Sequence, residues 1–384
     1  MTRHVEDQAA QIKKTIMAQR PDDERVEFLD SGSTMFNLAA SGKGRDGGWA
    51  RGRIVNPVGD GSSGKTLMAL EFCANAYYTI KKKPSKIFPP VTKLYIVYLN
   101  RERVMDFPVQ KMYNLKDADG NPIPSFYEAV EWIYHISTVE EFGRDFGRRA
   151  IQLQPGEALI YVVDSWDSMN SEEAIKRFEK EALEESKPKK KTSSDDEDGD
   201  DKKKGSYNLE KAAYASKVFF NNACDLMTGK DITLMIISQT RTKIGITFGD
   251  KHYRSGGDAL NFYTHQVPWL AQVEELKRTF RGDTRTYGVR MKAKFKRNKV
   301  GKPFREAETT ILFDYGVDDI LSMINWYWGP KVQKIDFDGA TFAREDLVAY
   351  IEENDLRDVL IDMCEKEWAE IEAEIVPKRK NRFE

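Results

Sequence analysis

Cysteine is scarce in this chain. Cys73, Cys224 and Cys364 are odd in number and far apart. They offer neither a disulfide framework nor a metal-binding spacing, which suits a reducing cytosol. Long apolar runs are also missing. None approaches the length of a membrane span, so no transmembrane helix is expected. The opening residues, Met-Thr-Arg-His-Val-Glu-Asp, hold no apolar core of a secretory signal, and a cytoplasmic protein is expected. An excess of one charge is absent too. The formal net charge is −2 over 384 residues, so any nucleic-acid surface must be local rather than a property of the whole chain. Charged residues make up 32% and hydrophobic ones 40%. That balance describes a soluble globular chain, with length for one large core and a small appendage.

What is present begins at Gly59. Residues 59–66 read Gly-Asp-Gly-Ser-Ser-Gly-Lys-Thr, which fits G-x-x-x-x-G-K-[ST] without a mismatch. A short apolar segment, Arg53 to Val58, precedes it and reads as a buried strand. Leu67 to Ile80 follows as an apolar-rich helix. Gly59 and Gly64 let backbone N–H groups of the loop, with Ser62 and Ser63, turn inward around a phosphate. The helix N-terminus adds partial positive charge, Lys65 can reach the β- and γ-phosphates, and the Thr66 hydroxyl can ligate Mg²⁺. The pattern predicts binding of ATP or GTP.

Further along, Leu94–Leu99, Ala158–Asp164 and Ile232–Ser238 are continuous apolar runs of strand length. With longer segments between them, they predict a mostly parallel α/β sheet buried on both faces. Residues 1–32 read as a polar helical arm and linker, and 33–318 as the core. Between Lys187 and Lys204 the only non-polar side chain is Pro188, with lysine triplets bracketing an acidic run. That composition predicts a disordered insertion, part of an enlarged loop over 170–206. Residues 319–384 read as a small α-rich domain, with helix from Ala343 to Glu374 and Leu347, Ile351, Leu356, Leu360 and Trp368 in its core.

Four constellations carry candidate chemistry. Asp164 ends an apolar strand, where a carboxylate can orient Mg²⁺ through water; alone, a strand-end Asp is as often a turn or helix cap, and the phosphate loop favours the Mg²⁺ role. Glu102 follows the Leu94–Leu99 strand and could polarise an attacking water. Taken alone, between Arg101 and Arg103, it reads more readily as a surface ion pair. Gln239 closes the Ile232–Ser238 strand and leads into residues 240–258, glycine-rich and basic with Phe248 and Tyr253. Such a loop can follow a nucleic-acid backbone or be a plain surface loop. Finally, residues 277–302 hold 11 Lys or Arg and one acid, Asp283. Within them Val289, Met291, Ala293 and Phe295 alternate with Arg290, Lys292, Lys294 and Lys296, a half-buried strand with one basic face. The spacing leaves open whether that face meets solvent, phosphate or a subunit.

The run Ile237-Ser-Gln-Thr-Arg-Thr-Lys-Ile-Gly-Ile-Thr-Phe-Gly249, then Ser255-Gly-Gly-Asp-Ala-Leu-Asn-Phe-Tyr263, resembles the second DNA-binding loop of bacterial RecA recombinases. Asn298 to Glu308, Gly52 to Val55 and Val162 to Ser165 resemble other segments of that family. The resemblance runs from about Ser33 to Val317. It implies a RecA-like P-loop ATPase core with a mostly parallel central sheet, a helical arm for oligomerisation and a small C-terminal domain. Carried over by position, Lys65 and Thr66 hold ATP and Mg²⁺, Glu102 activates water, and Asp164 associates with Mg²⁺. Gln239 senses the γ-phosphate. Arg241, Lys243, Gly256 and Gly257 fall on DNA-binding positions. Arg297 and Lys299 fall on lysines that reach the ATP of an adjacent subunit, and Phe262 on a subunit contact.

The implied activity is a DNA-dependent ATPase that forms a helical filament on single-stranded DNA. It would pair this DNA with homologous double-stranded DNA and exchange strands, helped by single-strand-binding and loading proteins. Rival readings are a hexameric helicase on the same fold and an ATP-binding accessory filament with little turnover. The residues after Asp164, Ser-Trp-Asp-Ser-Met-Asn, and the charged insertion depart from the family. With the basic end at Pro377–Arg382, they look more like a virus-encoded member in a host cytoplasm than a nucleoid-associated bacterial one.

Overall fold

Short strands line up where the sequence has its apolar runs. The structure, a computed structural model, describes residues 26–103, 105, 107–114, 126–185, 211–242, 252–254 and 257–380. Most of the expected arm and the charged insertion at 187–204 lie outside the described residues. β1 (Phe28–Leu29) and β2 (Trp49–Ala50) form a small antiparallel pair. The main sheet has 12 strands. They are β3 (Ile54–Val55), β4 (Val58–Gly59), β5 (Lys93–Asn100), β6 (Val130–Ile133), β7 (Glu157–Asp164), β8 (Asp231–Ile236), β9 (Ser238–Thr242), β10 (His252–Arg254), β11 (Gln266–Phe280), β12 (Asp283–Asn298), β13 (Glu306–Leu312) and β14 (Gly316–Asp318). A separate hairpin, β15 (Ile335–Phe337) and β16 (Ala340–Phe342), follows the helix Asp319–Trp328.

Parallel pairing joins β9, β4, β11, β3, β8, β7, β5 and β6 in that spatial order. β10, β12, β13 and β14 extend the sheet by antiparallel pairing. This is the α/β architecture expected, with a mostly parallel centre. Alternate residues of the central strands feed two cores. Ile96, Tyr98, Ile160 and Val162 pack on one face with helices Thr34–Ser41 and Lys65–Thr79. Val97, Leu99, Tyr161 and Val163 pack on the other with helices Val139–Gln152 and Phe220–Met227. Burial of both faces explains why these strands read as unbroken apolar runs.

Two expected strands take a different form. Arg53–Val58 is not one strand but two short ones, β3 and β4, with β11 inserted between them. Pro57 has no N–H to extend a ladder, and at Asn56 the chain changes neighbours: Asn56 N–H donates to Gln266 O at 2.9 Å. Likewise the run Ile232–Ser238 divides at Ile237. β8 pairs with β3 and β7, whereas β9 crosses to pair with β4.

The alternation over 289–295 is real. Met291, Ala293 and Phe295 are fully buried within β12. Its opposite face is an ion-pair ladder. Arg290 meets Glu274 of β11 and Glu308 of β13, Lys292 meets Glu306 at 2.8 Å, and Lys294 meets the same carboxylate at 3.4 Å. Partly exposed pairs of this kind contribute about 0–1 kcal/mol each, so they specify register more than they stabilise.

The tail is helical as expected, in two helices, Arg344–Glu353 and Arg357–Ile375. Leu347, Ile351, Leu360 and Trp368 are buried as expected, and Leu356 at the break is half-buried. Glu365 accepts the N–H groups of Gly44 and Arg45 at 2.6 and 2.9 Å, holding the last helix to the loop after Thr34–Ser41. A buried carboxylate completes the join. Asp319 accepts Thr34 N–H at 2.6 Å, Thr34 Oγ1 at 2.7 Å and the Arg357 guanidinium at 2.6 Å.

Glu71 is a half-buried carboxylate. It lies on the helix Lys65–Thr79, and its Oε2 accepts Tyr113 OH at 2.9 Å. Burial pushes its pKa up to about 7, against smaller opposing hydrogen bonds from Tyr113 and the Val317 backbone. Below about pH 4.5 the group is protonated in both folded and unfolded chains. Between there and about pH 7 only the folded chain keeps the proton, so stability falls as pH rises through that window. Glu71→Gln should therefore melt higher than the parent at pH 8, by up to about 3 kcal/mol, with the advantage vanishing near pH 4.5. Thermal melts across that range check it; an advantage equal at pH 4.5 and pH 8 contradicts it.

Candidate nucleotide and DNA site

The loop after β4 closes because two of its positions admit no side chain. A Cβ on Gly59 would stand 2.3 Å from Ser63 Oγ and 2.5 Å from Leu270 O. Gly64 has φ +85°, with Ile311 Cδ1 and Met291 Sδ at 3.2 Å from where its Cβ would lie. Gly64 is the residue before the first turn of the helix Lys65–Thr79, so the unpaired N–H groups of that turn face the loop. Ser63 Oγ donates to Asp60 O at 2.8 Å and keeps the loop folded. The Lys65 ammonium folds across the loop, donating to Asp60 O and, at 3.2 Å, to Ser63 Oγ. Burial lowers its pKa, while Asp164 and Glu102 raise it. A loop of amides around a partly desolvated cation fits a polyphosphate.

Behind the loop, β7 carries Asp164 in register with Asn100 of β5. Asp164 Oδ2 accepts Thr66 Oγ1 at 2.8 Å and Tyr98 OH at 2.7 Å. Burial raises its pKa, and the two hydroxyl donors and Lys65 oppose that rise. The hydroxyl and carboxylate are thus side by side, a donor set suited to a hydrated Mg²⁺. The cap or turn alternative for Asp164 does not describe these contacts. Tyr98 was not foreseen. A tyrosine inside a strand buried on both faces must find a partner for its hydroxyl, and that was the available signal.

Glu102 stands on a tight turn after β5, where Arg103 has φ +60° and its N–H donates to Asn100 Oδ1 at 3.0 Å. Glu102 Oε1 accepts Ser165 Oγ and Gln239 Nε2, both at 3.2 Å. Gln239 is the second residue of β9 rather than the end of the preceding strand, and it lies in register with Gly59. This corrects the expected strand end: the backbone stays extended because β9 has gained β4 as a partner. Arg241 follows on the same strand and is exposed.

The expected loop over 240–258 is at its ends a hairpin. β9 and β10 pair antiparallel, with Tyr253 opposite Arg241. Lys243 and Gly256 lie outside the described residues, and Gly257 begins the helix Gly257–Tyr263. Arg254 of β10 reaches back to Asn56 Oδ1 and, at 2.6 Å, to Asn261 Oδ1. Asn56 Nδ2 in turn donates to Ser238 Oγ at 3.0 Å. The hairpin is therefore tied to the strands beside the phosphate loop.

Arg297 and Lys299 are elsewhere. Arg297 pairs with Val267 near the end of β12 and Lys299 follows the strand, its N–H donating to His265 O at 2.8 Å, whereas Gly59 meets β11 at Leu270. Lys299 Nζ donates to Phe262 O at 2.5 Å and lies 5.8 Å from the Phe262 ring, which is 68% exposed. Burial and then Arg297 lower the Lys299 pKa. Among the described residues no group of three or more His, Cys, Asp or Glu could hold a metal, and no helix is long and apolar enough to cross a membrane.

Residues 204–318 match the RecA N-terminal domain family. The chain is 25% identical over 343 residues to a RecA protein of Treponema pallidum (strain Nichols), covering 86% of this chain and 68% of that one. It is 26% identical over 346 residues to RecA of Gloeothece citriformis (strain PCC 7424), covering 86% and 78%. Over a shorter stretch of 129 residues it is 33% identical to RecA of Trichodesmium erythraeum (strain IMS101), covering 32% of this chain and 35% of that one. The crystal structure of the RadB recombinase superposes with a TM-score of 0.47 at 14% identity, covering 76% of this chain and 98% of the other.

Lys65→Ala removes the one cation whose ammonium crosses the loop. Nucleotide affinity, measured by fluorescence of a labelled ATP analogue, should fall about a hundredfold or more, while the melting temperature stays within a few degrees. Near-normal affinity contradicts the assignment.

Proposed function

We propose that this chain, a relative of the bacterial RecA proteins, is a DNA-dependent ATPase that polymerises on single-stranded DNA and catalyses homologous pairing and strand exchange. One observation carries the proposal. Gln239 touches Glu102 through its side chain, lies beside Gly59 through its backbone, and precedes Arg241 by two residues on one strand. A single extended segment thus runs from the phosphate loop to the DNA-facing side.

The roles follow from that arrangement. Gly59, Ser62, Ser63, Gly64 and Lys65 cradle the phosphates of ATP. Thr66 and Asp164 hold the Mg²⁺ ion, which supplies Lewis-acid neutralisation of phosphate charge. Glu102 takes the proton of the attacking water. Gln239 exchanges its bond to Glu102 for the γ-phosphate and so reports the nucleotide state to the strand that bears Arg241. Arg241, with Lys243, Gly256 and Gly257, binds the DNA backbone, and base pairing supplies sequence recognition. Arg297 and Lys299, presented beside an exposed Phe262, reach the ATP of an adjacent subunit in a helical filament. On this reading residues 33–318 form the ATPase core and 319–384 a small C-terminal unit. Nucleotide acts mainly as a switch between filament states.

The direct test is strand exchange between fluorescent oligonucleotides, with ATP and with a slowly hydrolysed analogue. Exchange with both is expected, and single-strand binding without exchange contradicts the proposal. The shared site yields a sharper prediction. Glu102→Gln should bind ATP and DNA but lose turnover by about 10²–10⁴. Lys299→Ala should also lose most DNA-stimulated turnover. Mixed on DNA, the two inactive variants should regain part of the activity, because an interface with both native halves is complete. No recovery in filaments that contain both would place Lys299 outside the shared site.

A further inference from the structure

The turn Trp166–Ser168 follows Asp164 after Ser165, and its backbone is held from two sides. Trp166 N–H donates to Ile237 O at 2.9 Å. On the other side the Lys211 ammonium donates to Trp166 O and, at 2.8 Å, to Met169 O. The Trp166 ring is fully buried between Phe142 and Phe220. A turn fixed this way presents one carboxylate, that of Asp167. Its Oδ2 accepts the backbone N–H of Gln239 at 2.7 Å. The cations that face it are Lys211 and Arg241; burial raises its pKa and these contacts oppose the rise.

We propose that Asp167 is a positioning residue that links DNA at Arg241 to Gln239, and through Gln239 to Glu102. The inference rests on the recombinase reading, and it adds a part that Asp164, Glu102 and Gln239 do not supply. The hydrogen bond from Gln239 N–H fixes the backbone at the residue whose side chain touches Glu102. The side chain can then swing between Glu102 and a phosphate about a fixed backbone point, so that the swing is passed along the strand. The same carboxylate is opposed by the Arg241 charge. When a DNA phosphate takes that charge, the carboxylate becomes the stronger acceptor for Gln239 N–H, and the anchor tightens. DNA binding thus stiffens the support of Gln239 on the ATP side.

The two effects are separable by substitution. Asp167→Ala removes both the acceptor and the charge. Asp167→Asn keeps an acceptor oxygen and removes the charge. In Asp167→Ala, KM for ATP and basal turnover should stay within about twofold of the parent, and DNA-stimulated kcat should fall about tenfold. Its single-stranded DNA affinity should be equal to or higher than that of the parent, since Arg241 is no longer opposed. Asp167→Asn should keep basal turnover and the raised DNA affinity but also lose most of the DNA stimulation, since its acceptor oxygen carries no charge for DNA to release. Full DNA stimulation in either variant overturns the inference, as does an unchanged split between basal and stimulated turnover. A parent chain with no DNA-stimulated turnover would instead overturn the recombinase reading, and the inference with it.

Discussion

The arrangement depends on one pairing: β9 lies parallel to β4, so that Gln239 sits beside Gly59. Without it the chain after β8 would continue along its old neighbours, and Gln239 would have no route to Glu102. The pairing needs the crossing at Ile237, where its N–H still donates to Val163 O at 3.0 Å and its carbonyl accepts Trp166 N–H. It also needs the split at Asn56–Pro57, which frees Val58 and Gly59 to take a new partner. Asn56 serves both breaks, since its amide reaches Ser238 and its oxygen holds Arg254.

The nucleotide side is organised around charge that the fold takes out of water. Asp164 and Lys65 are both buried, each with its ordinary ionisation disfavoured by burial and supported by the other. Such a pair is costly to hold without a ligand and favourable once phosphate and a divalent cation enter between them. The DNA side is different in kind. Arg241 is exposed, and its strand continues toward residues outside those described. A rigid, desolvated site thus adjoins a hydrated one, with one backbone segment in common.

Much of this was legible in the residues. The phosphate loop, the strand ending at Asp164 and the alternation over 289–295 each follow from local patterns with a physical cause: glycine sterics, two-sided burial and period-two packing. Glu102 and Gln239 were legible only by resemblance, because a glutamate between two arginines has the same composition on any surface. Tyr98, Asp167 and Asn56 were not foreseen as site residues. Their partners lie 66, 72 and 180 residues away in sequence, and no local pattern encodes such pairings. The division of Arg53–Val58 and of Ile232–Ser238 was missed for the same reason: an apolar run says that a segment is buried and extended, not which strand it lies against.

The central claim is that the phosphate loop and the strand bearing Arg241 respond as one unit. Amide hydrogen exchange with and without a slowly hydrolysed ATP analogue, in the absence of DNA, tests it most directly. Protection should rise over residues 59–66 and equally over 238–242 and 252–254, although the analogue reaches those two strands only through the Gln239 side chain. Protection confined to 59–66, with exchange at Gln239, Thr240 and Arg241 unchanged, would contradict the account.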